Sequence, residues 1–204
     1  MTNGKSQHQR QNQTRNDLRN LASSYRLARG NLASSQTQSH QPTGKENDML
    51  IYGIDPGFTG AVSIYETETD SLVIYDIPVV KSPKGKTLIN LPELLSILSN
   101  QRNKPALAVI ERVNAMPNQG VSSTFRFGQG FGQLEMGIVA SKLPIKYVTP
   151  RQWKKYFDLS RDKGESRRLA KLCFPNHAHY FKRVKDDGRA EAALIGLYAK
   201  ENLV

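Results

Sequence analysis

Met49-Leu50-Ile51-Tyr52-Gly53-Ile54-Asp55-Pro56-Gly57-Phe58-Thr59-Gly60 is the stretch on which the fold turns. Its first six residues form an apolar run of strand length, and the run closes on an acid, Asp55, that opens a glycine turn. A second run, Ala106-Leu107-Ala108-Val109-Ile110, closes on Glu111 in the same way. Asp187 and Glu191 stand four apart in a segment of helical pattern, so both project from one face. The chain carries 29 Lys and Arg against 18 Asp and Glu, a formal charge of +11. Acids at the ends of buried strands in so basic a chain require a reason, and a divalent metal held against a phosphate backbone is the most economical one.

Working outward from Asp55, residues 60–66 and 72–78 are short, rich in Val, Ile and Tyr, and bounded by turn formers; with 49–55 they read as three consecutive strands of an antiparallel meander. Residues 79–90, with Lys81, Lys84, Gly85 and Lys86, read as a polar loop. Leu91, Leu94, Leu95 and Leu98 recur at helical spacing, with Pro92 near the start where a helix tolerates it. A fourth strand follows at 106–111, a long helix at 122–141, a fifth strand at 145–149, and helices at 150–157, 163–173 and 187–201. The order predicts an α/β domain, a sheet covered by helices. For the four acids to meet, the strands ending in Asp55 and Glu111 must be neighbours and the last helix must pack across them.

Composition narrows the partners. The net positive charge points to a polyanion, most commonly nucleic acid. The single cysteine, Cys173, excludes an internal disulfide and a cysteine-based zinc cluster, and its apolar neighbours mark it as a buried thiol. No apolar stretch approaches the roughly 20 residues of a membrane span, so no membrane partner is expected. Residues 1–48 are rich in Gln, Asn, Ser, Thr and Arg and form an expected disordered basic tail ahead of a domain at 49–204. The tail reads as a solvated segment, as a basic arm on nucleic acid, or as an organelle-targeting segment. The corresponding locations are the cytoplasm or nucleoid of a prokaryote or phage host, or a chloroplast or mitochondrion.

Phosphodiester hydrolysis needs an activated water, neutralised non-bridging oxygens and a stabilised leaving oxygen. Two Mg²⁺ or Mn²⁺ ions roughly 3.5–4 Å apart supply all three. Asp55 is the candidate bridge between them, because a strand end holds it rigidly; Glu111 completes one ion's ligands, and Asp187 with Glu191 the other's. Bland readings stand beside this one. An Asp that begins a Pro-Gly turn is often only a turn residue, and Asp187 also suits a helix cap.

Several stretches together resemble a known family. They are Gly53-Ile54-Asp55-Pro56-Gly57 with Gly60-Ala61, then Ile110-Glu111, Ala115-Met116-Pro117-Asn118-Gln119-Gly120-Val121-Ser122-Ser123, and Phe125-Arg126-Phe127-Gly128. Thr149-Pro150-Arg151-Gln152-Trp153-Lys154-Lys155 and Lys185-Asp186-Asp187-Gly188-Arg189-Ala190-Glu191-Ala192 complete the set. In this order they resemble the RuvC-type Holliday junction resolvases, in the branch found in phages, bacteria and chloroplasts. The resemblance implies a ribonuclease H-like fold with a central mixed five-stranded sheet flanked by helices. It implies Asp55, Glu111, Asp187 and Glu191 as catalytic metal ligands. The implied enzyme is a homodimer that nicks opposed strands of a four-way DNA junction, leaving 5′-phosphate and 3′-hydroxyl ends. Lys163 matches a lysine that lies near the scissile phosphate in relatives. One departure stands out: Asp187 occupies a position where this branch often has histidine, so the water-activating group is open, and the adjacent Asp186 is an alternative ligand.

Phe125, Arg126 and Phe127 lie among glycines that let a nucleic-acid backbone approach and that expose aromatic faces to unstacked bases; the alternative is a helix packed on a partner helix. Lys154, Lys155, Arg167, Arg168 and Lys185 belong to a dense basic run expected to contact phosphates without reading sequence. Trp153 reads as the core anchor of its short helix rather than a stacking platform. Actin-like ATPases share an Asp-x-Gly-x-x-Gly turn but need two such lobes. A ribonuclease of the same fold acting on ribosomal RNA precursors and a non-hydrolytic junction binder are the remaining rivals.

Overall fold

Five strands make the main sheet of the computed structural model, which describes residues 48–100, 104–114, 120–160 and 162–204. β1 (Leu50–Asp55) pairs antiparallel with β2 (Ala61–Glu66), which pairs antiparallel with β3 (Leu72–Asp76). On its other edge β1 pairs in parallel with β6 (Ala106–Glu111), and β6 pairs in parallel with β7 (Ile145–Val148). The order is β3-β2-β1-β6-β7, a mixed five-stranded sheet. The first three strands are the expected meander. Residues 1–47 of the tail expected over 1–48 lie outside the described residues, as do 115–119 of the quoted stretches.

Side-chain alternation along the two central strands sorts the core into two layers. Leu50, Tyr52 and Ile54 of β1, with Ala108 and Ile110 of β6, face α1 (Leu91–Leu98) and α2 (Val121–Ala140). Ile51 of β1, with Leu107 and Val109 of β6, faces the opposite layer. That layer holds α3 (Pro150–Tyr156), α4 (Lys163–Cys173) and α5 (Asp187–Asn202). Both central strands are therefore apolar on both faces, which is why they read as unbroken runs. Cys173 is buried in this second layer.

α5 lies almost flat on β1. A methyl at Gly53 would stand 2.3 Å from the Ala192 carbonyl oxygen and 2.5 Å from the Gly196 nitrogen. Ser63 on β2 completes the contact by donating its hydroxyl to the Ala192 carbonyl at 2.8 Å. Small residues at Ala190, Ala192, Ala193 and Gly196 make this approach possible. The helix is buried nearly all round, because α4 and the turns before it cover the side away from the sheet.

The predicted polar loop at 79–90 is instead a two-stranded ribbon. β4 (Val79–Lys81) pairs antiparallel with β5 (Thr87–Ile89), and Gly85 takes a φ of 74° in the turn between them. Its apolar pairs, Val79-Val80 and Leu88-Ile89, are too short to show a period in sequence. The other strands and α-helices begin and end within two residues of expectation, while two 3-10 turns, Pro175–Phe181 and Val184–Asp186, were not expected. No described helix is long and apolar enough to cross a membrane.

Candidate active site

The two-residue period of the strands sets the direction of both strand-end acids. Gly53 faces α5, so Asp55, two residues on, falls on the same side; Val109 faces that layer too, so Glu111 does likewise. Ile54 and Ile110 are register partners in the parallel pair, which puts the two acids side by side at the carboxyl ends of adjacent strands. Pro56-Gly57 then turns the chain away, with Gly57 at a φ of 138° that side-chain-bearing residues rarely adopt.

The first two turns of α5 meet these acids. A methyl at Gly188 would lie 2.9 Å from Asp55 Oδ2 and 2.5 Å from the Thr59 carbonyl oxygen. The Asp55 carboxylate thus sits against the residue following Asp187. One turn further, Glu191 is close enough to Glu111 to act on its ionisation. Burial pushes the Glu111 carboxyl above its ordinary range; the Trp153 N–H and Lys154 oppose that shift, while the negative charge of Glu191 adds to it.

Each acid is engaged in its own way. Glu111 Oε1 accepts from Trp153 Nε1 at 2.7 Å, entirely within the core. Glu191 Oε1 accepts from Lys154 Nζ at 3.0 Å. Asp187 Oδ1 accepts from Arg167 Nε at 2.6 Å. Asp186, the alternative ligand, is 2% exposed, with Oδ2 accepting from the Arg183 backbone N–H at 2.7 Å and Oδ1 from Arg183 Nε at 2.9 Å. It closes the turn that launches α5, whereas Asp187 lies beside Arg167 on the half-buried side.

As the side chains lie, no three acids, histidines or cysteines among the described residues enclose a metal position. The donor set nonetheless fits a hard divalent cation. It consists of carboxylate oxygens without thiol or imidazole, and two of the acids already hold basic partners, Lys154 and Arg167.

The expected nucleic-acid contacts divide into exposed and engaged groups. Phe125 is 72% exposed on α2, and Lys155 and Lys185 are also exposed; Arg168 is exposed but donates to Asp162 Oδ2 at 3.0 Å. Phe127 is half-buried and lines a groove with Arg112, Asn114, Pro150 and Arg151, next in sequence to Glu111. Arg126 is engaged internally: its guanidinium donates to the Thr87 carbonyl at 3.2 Å and lies 5.3 Å from the Phe58 ring, tying β5 to the turn after Asp55. Lys154 and Arg167 are the partners of Glu191 and Asp187 rather than free cations. Lys163 opens α4, and its side chain lies outside what the structure describes. Sequence reasoning placed Trp153 in the core but missed its bond to Glu111. The two residues are 42 positions apart, and no local pattern links them.

No family model matches this sequence, and no curated protein matches it. The fold is similar to the solved structure of Thermus thermophilus RuvC, at 15% identity and a TM-score of 0.48, covering 75% of this chain and 96% of that one. It is also similar to T. thermophilus RuvC in complex with Holliday junction substrate, at 14% identity and a TM-score of 0.47, covering 76% of this chain and 96% of that one. A likeness at this identity is one of fold alone, and the mixed five-stranded sheet flanked by helices is the one the motif resemblance implied.

Proposed function

We propose that this chain is a metal-dependent endodeoxyribonuclease that resolves four-way DNA junctions. The observation that carries the reading is the meeting of Asp55 and Glu111, at the ends of adjacent parallel strands, with the first two turns of α5. Three remote segments bring carboxylates to one edge of a strongly basic chain, an arrangement suited to phosphodiester chemistry. The junction as substrate, the homodimer and the 5′-phosphate product follow from the motif resemblance.

In this reading Asp55, Glu111, Asp187 and Glu191 hold Mg²⁺ or Mn²⁺, and the bound ions supply Lewis acidity and a water of lowered pKa. Asp187 is preferred to Asp186, because Asp186 has its oxygens engaged by Arg183 inside the turn. Lys154 and Arg167 neutralise Glu191 and Asp187 when no cation is there. Once those acids ligate metal, both basic side chains are free to meet phosphate oxygens of the bound strand. Lys155, Arg168 and Lys185 add phosphate contacts on the exposed surface, and Phe125 offers an aromatic face to an unstacked base.

The test is nicking of a synthetic four-way junction with Mg²⁺, compared with linear duplex and with structured RNA. The expected result is paired nicks in the junction, little cutting of the duplex, and loss of cutting with chelator. Preferential cleavage of the RNA would move the assignment to a ribonuclease. Tight junction binding without cutting at any divalent concentration would move it to a binding protein.

A further inference from the structure

We infer that Trp153 is a positioning residue for Glu111. Its indole N–H holds one carboxylate oxygen, so that Glu111 meets a divalent cation through the other. The inference rests on the metal-dependent reading above and names a residue that this reading does not use.

The bond runs from Trp153 Nε1 to Glu111 Oε1 at 2.7 Å, with Trp153 fully buried and Glu111 5% exposed. Indole is a donor only and an ionised carboxylate an acceptor only, so the contact has one polarity and cannot invert. The indole itself is held from several sides. α3 begins at a closed cap, in which Thr149 Oγ1 accepts from the Gln152 N–H at 3.3 Å and Gln152 Oε1 accepts from the Thr149 N–H at 2.8 Å. Pro150 occupies the first turn. The ring lies in the same core layer as Phe157 and Leu169, and the Lys154 ammonium stands 4.9 Å from its centroid. A carboxylate at a strand end has its backbone fixed but keeps its side-chain torsions. The indole removes that freedom by engaging one named oxygen. Partners of this kind typically change metal affinity by about 10- to 100-fold when removed.

The competing explanation is that Trp153 only fills the core and its N–H simply finds the nearest acceptor. W153F separates the two, since it keeps an aromatic ring and deletes the donor. Trp153 is also the only tryptophan of the chain, so intrinsic emission reports this indole alone.

The experiment titrates the full chain with Mn²⁺ by calorimetry and with Mg²⁺ by tryptophan emission, and repeats the calorimetry on W153F, E111Q and the double variant. We expect a saturable emission change in the wild type and Mn²⁺ affinity weakened by about 10- to 100-fold in W153F. Further, W153F should add nothing in the E111Q background, and junction binding in chelator should be unchanged in W153F. Wild-type Mn²⁺ binding with unmoved emission and equal affinity in W153F would overturn the inference while leaving the proposed function intact. If W153F does not fold, the wild-type emission titration decides alone. Absence of any Mn²⁺ uptake by the wild type would overturn the metal reading, and this inference with it.

Discussion

The two faces of the sheet use glycine for opposite purposes. On the α5 face, Gly53 and Gly188 are places where another atom already stands: added methyls would fall 2.3 Å from the Ala192 carbonyl oxygen and 2.9 Å from Asp55 Oδ2. On the other face, Gly128 and Gly132 of α2 have nothing within 4 Å of such a methyl. Those two lie on the outward side of α2, with Phe125, Met136 and Val139 exposed; on the inward side a methyl at Gly137 would stand 3.2 Å from Leu94 and Leu98, side chains that can turn aside where backbone cannot. The comparison teaches where the molecule needs geometric accuracy. Close packing of α5 on β1 and β2 brings its first two turns to the strand-end acids, and displacement there would separate the carboxylates that the proposed function assigns to a shared cation. Nothing on the α2 face makes a comparable demand on those acids.

The contrast can be broken most severely on the α5 face. Asp55→Asn should reduce junction cleavage on the order of a thousandfold or more, since the metals are asked for several kcal/mol of transition-state stabilisation. Gel-shift affinity for the junction should be retained, because phosphate contacts come from the basic residues. Gly53→Val should cost about 3 kcal/mol in denaturant unfolding, because the obstacle is helix backbone and not a side chain that can turn aside.

Smaller effects sharpen the contrast. Glu111→Gln should abolish cleavage yet raise the stability of the metal-free protein by about 1 kcal/mol near neutral pH, as relief of a strained site commonly does. The sign follows from the raised pKa. A buried carboxyl whose folded pKa lies above its unfolded value penalises folding above that pKa, and the penalty fades as pH falls through it. The advantage of the Gln variant should therefore shrink in thermal melts as pH is lowered through the Glu111 titration. On the opposite face Gly132→Ala should stabilise by about 0.5 kcal/mol, since the site is helical and open. Equal responses at Gly53 and Gly132 would remove the asymmetry altogether.

Much of this arrangement was legible in the chain. Apolar runs closing on Asp55 and Glu111 marked two strands that had to be neighbours for the acids to meet, and they are; that the pair is parallel, with both acids turned toward one layer, came from the structure. Helical spacing put Asp187 and Glu191 on one side of α5, and the limits of that helix were close to those observed. The β4–β5 ribbon escaped notice because its strands are three residues each, shorter than any period can declare. Trp153 on Glu111, Lys154 on Glu191 and Arg167 on Asp187 also escaped notice. Each joins residues 20 to 42 positions apart, and only the tertiary packing of α3, α4 and α5 brings them together. Basic residues that composition assigns to DNA are here first the counter-charges of the acids.

The central claim is that Asp55, Glu111 and the start of α5 share divalent cations. A crystal grown with Mn²⁺ and measured for anomalous scattering tests it most directly. Strong peaks are expected within coordination distance of Asp55, Glu111 and Glu191. A fully occupied Mn²⁺ elsewhere on the molecule, with no peak among those three carboxylates, would contradict it.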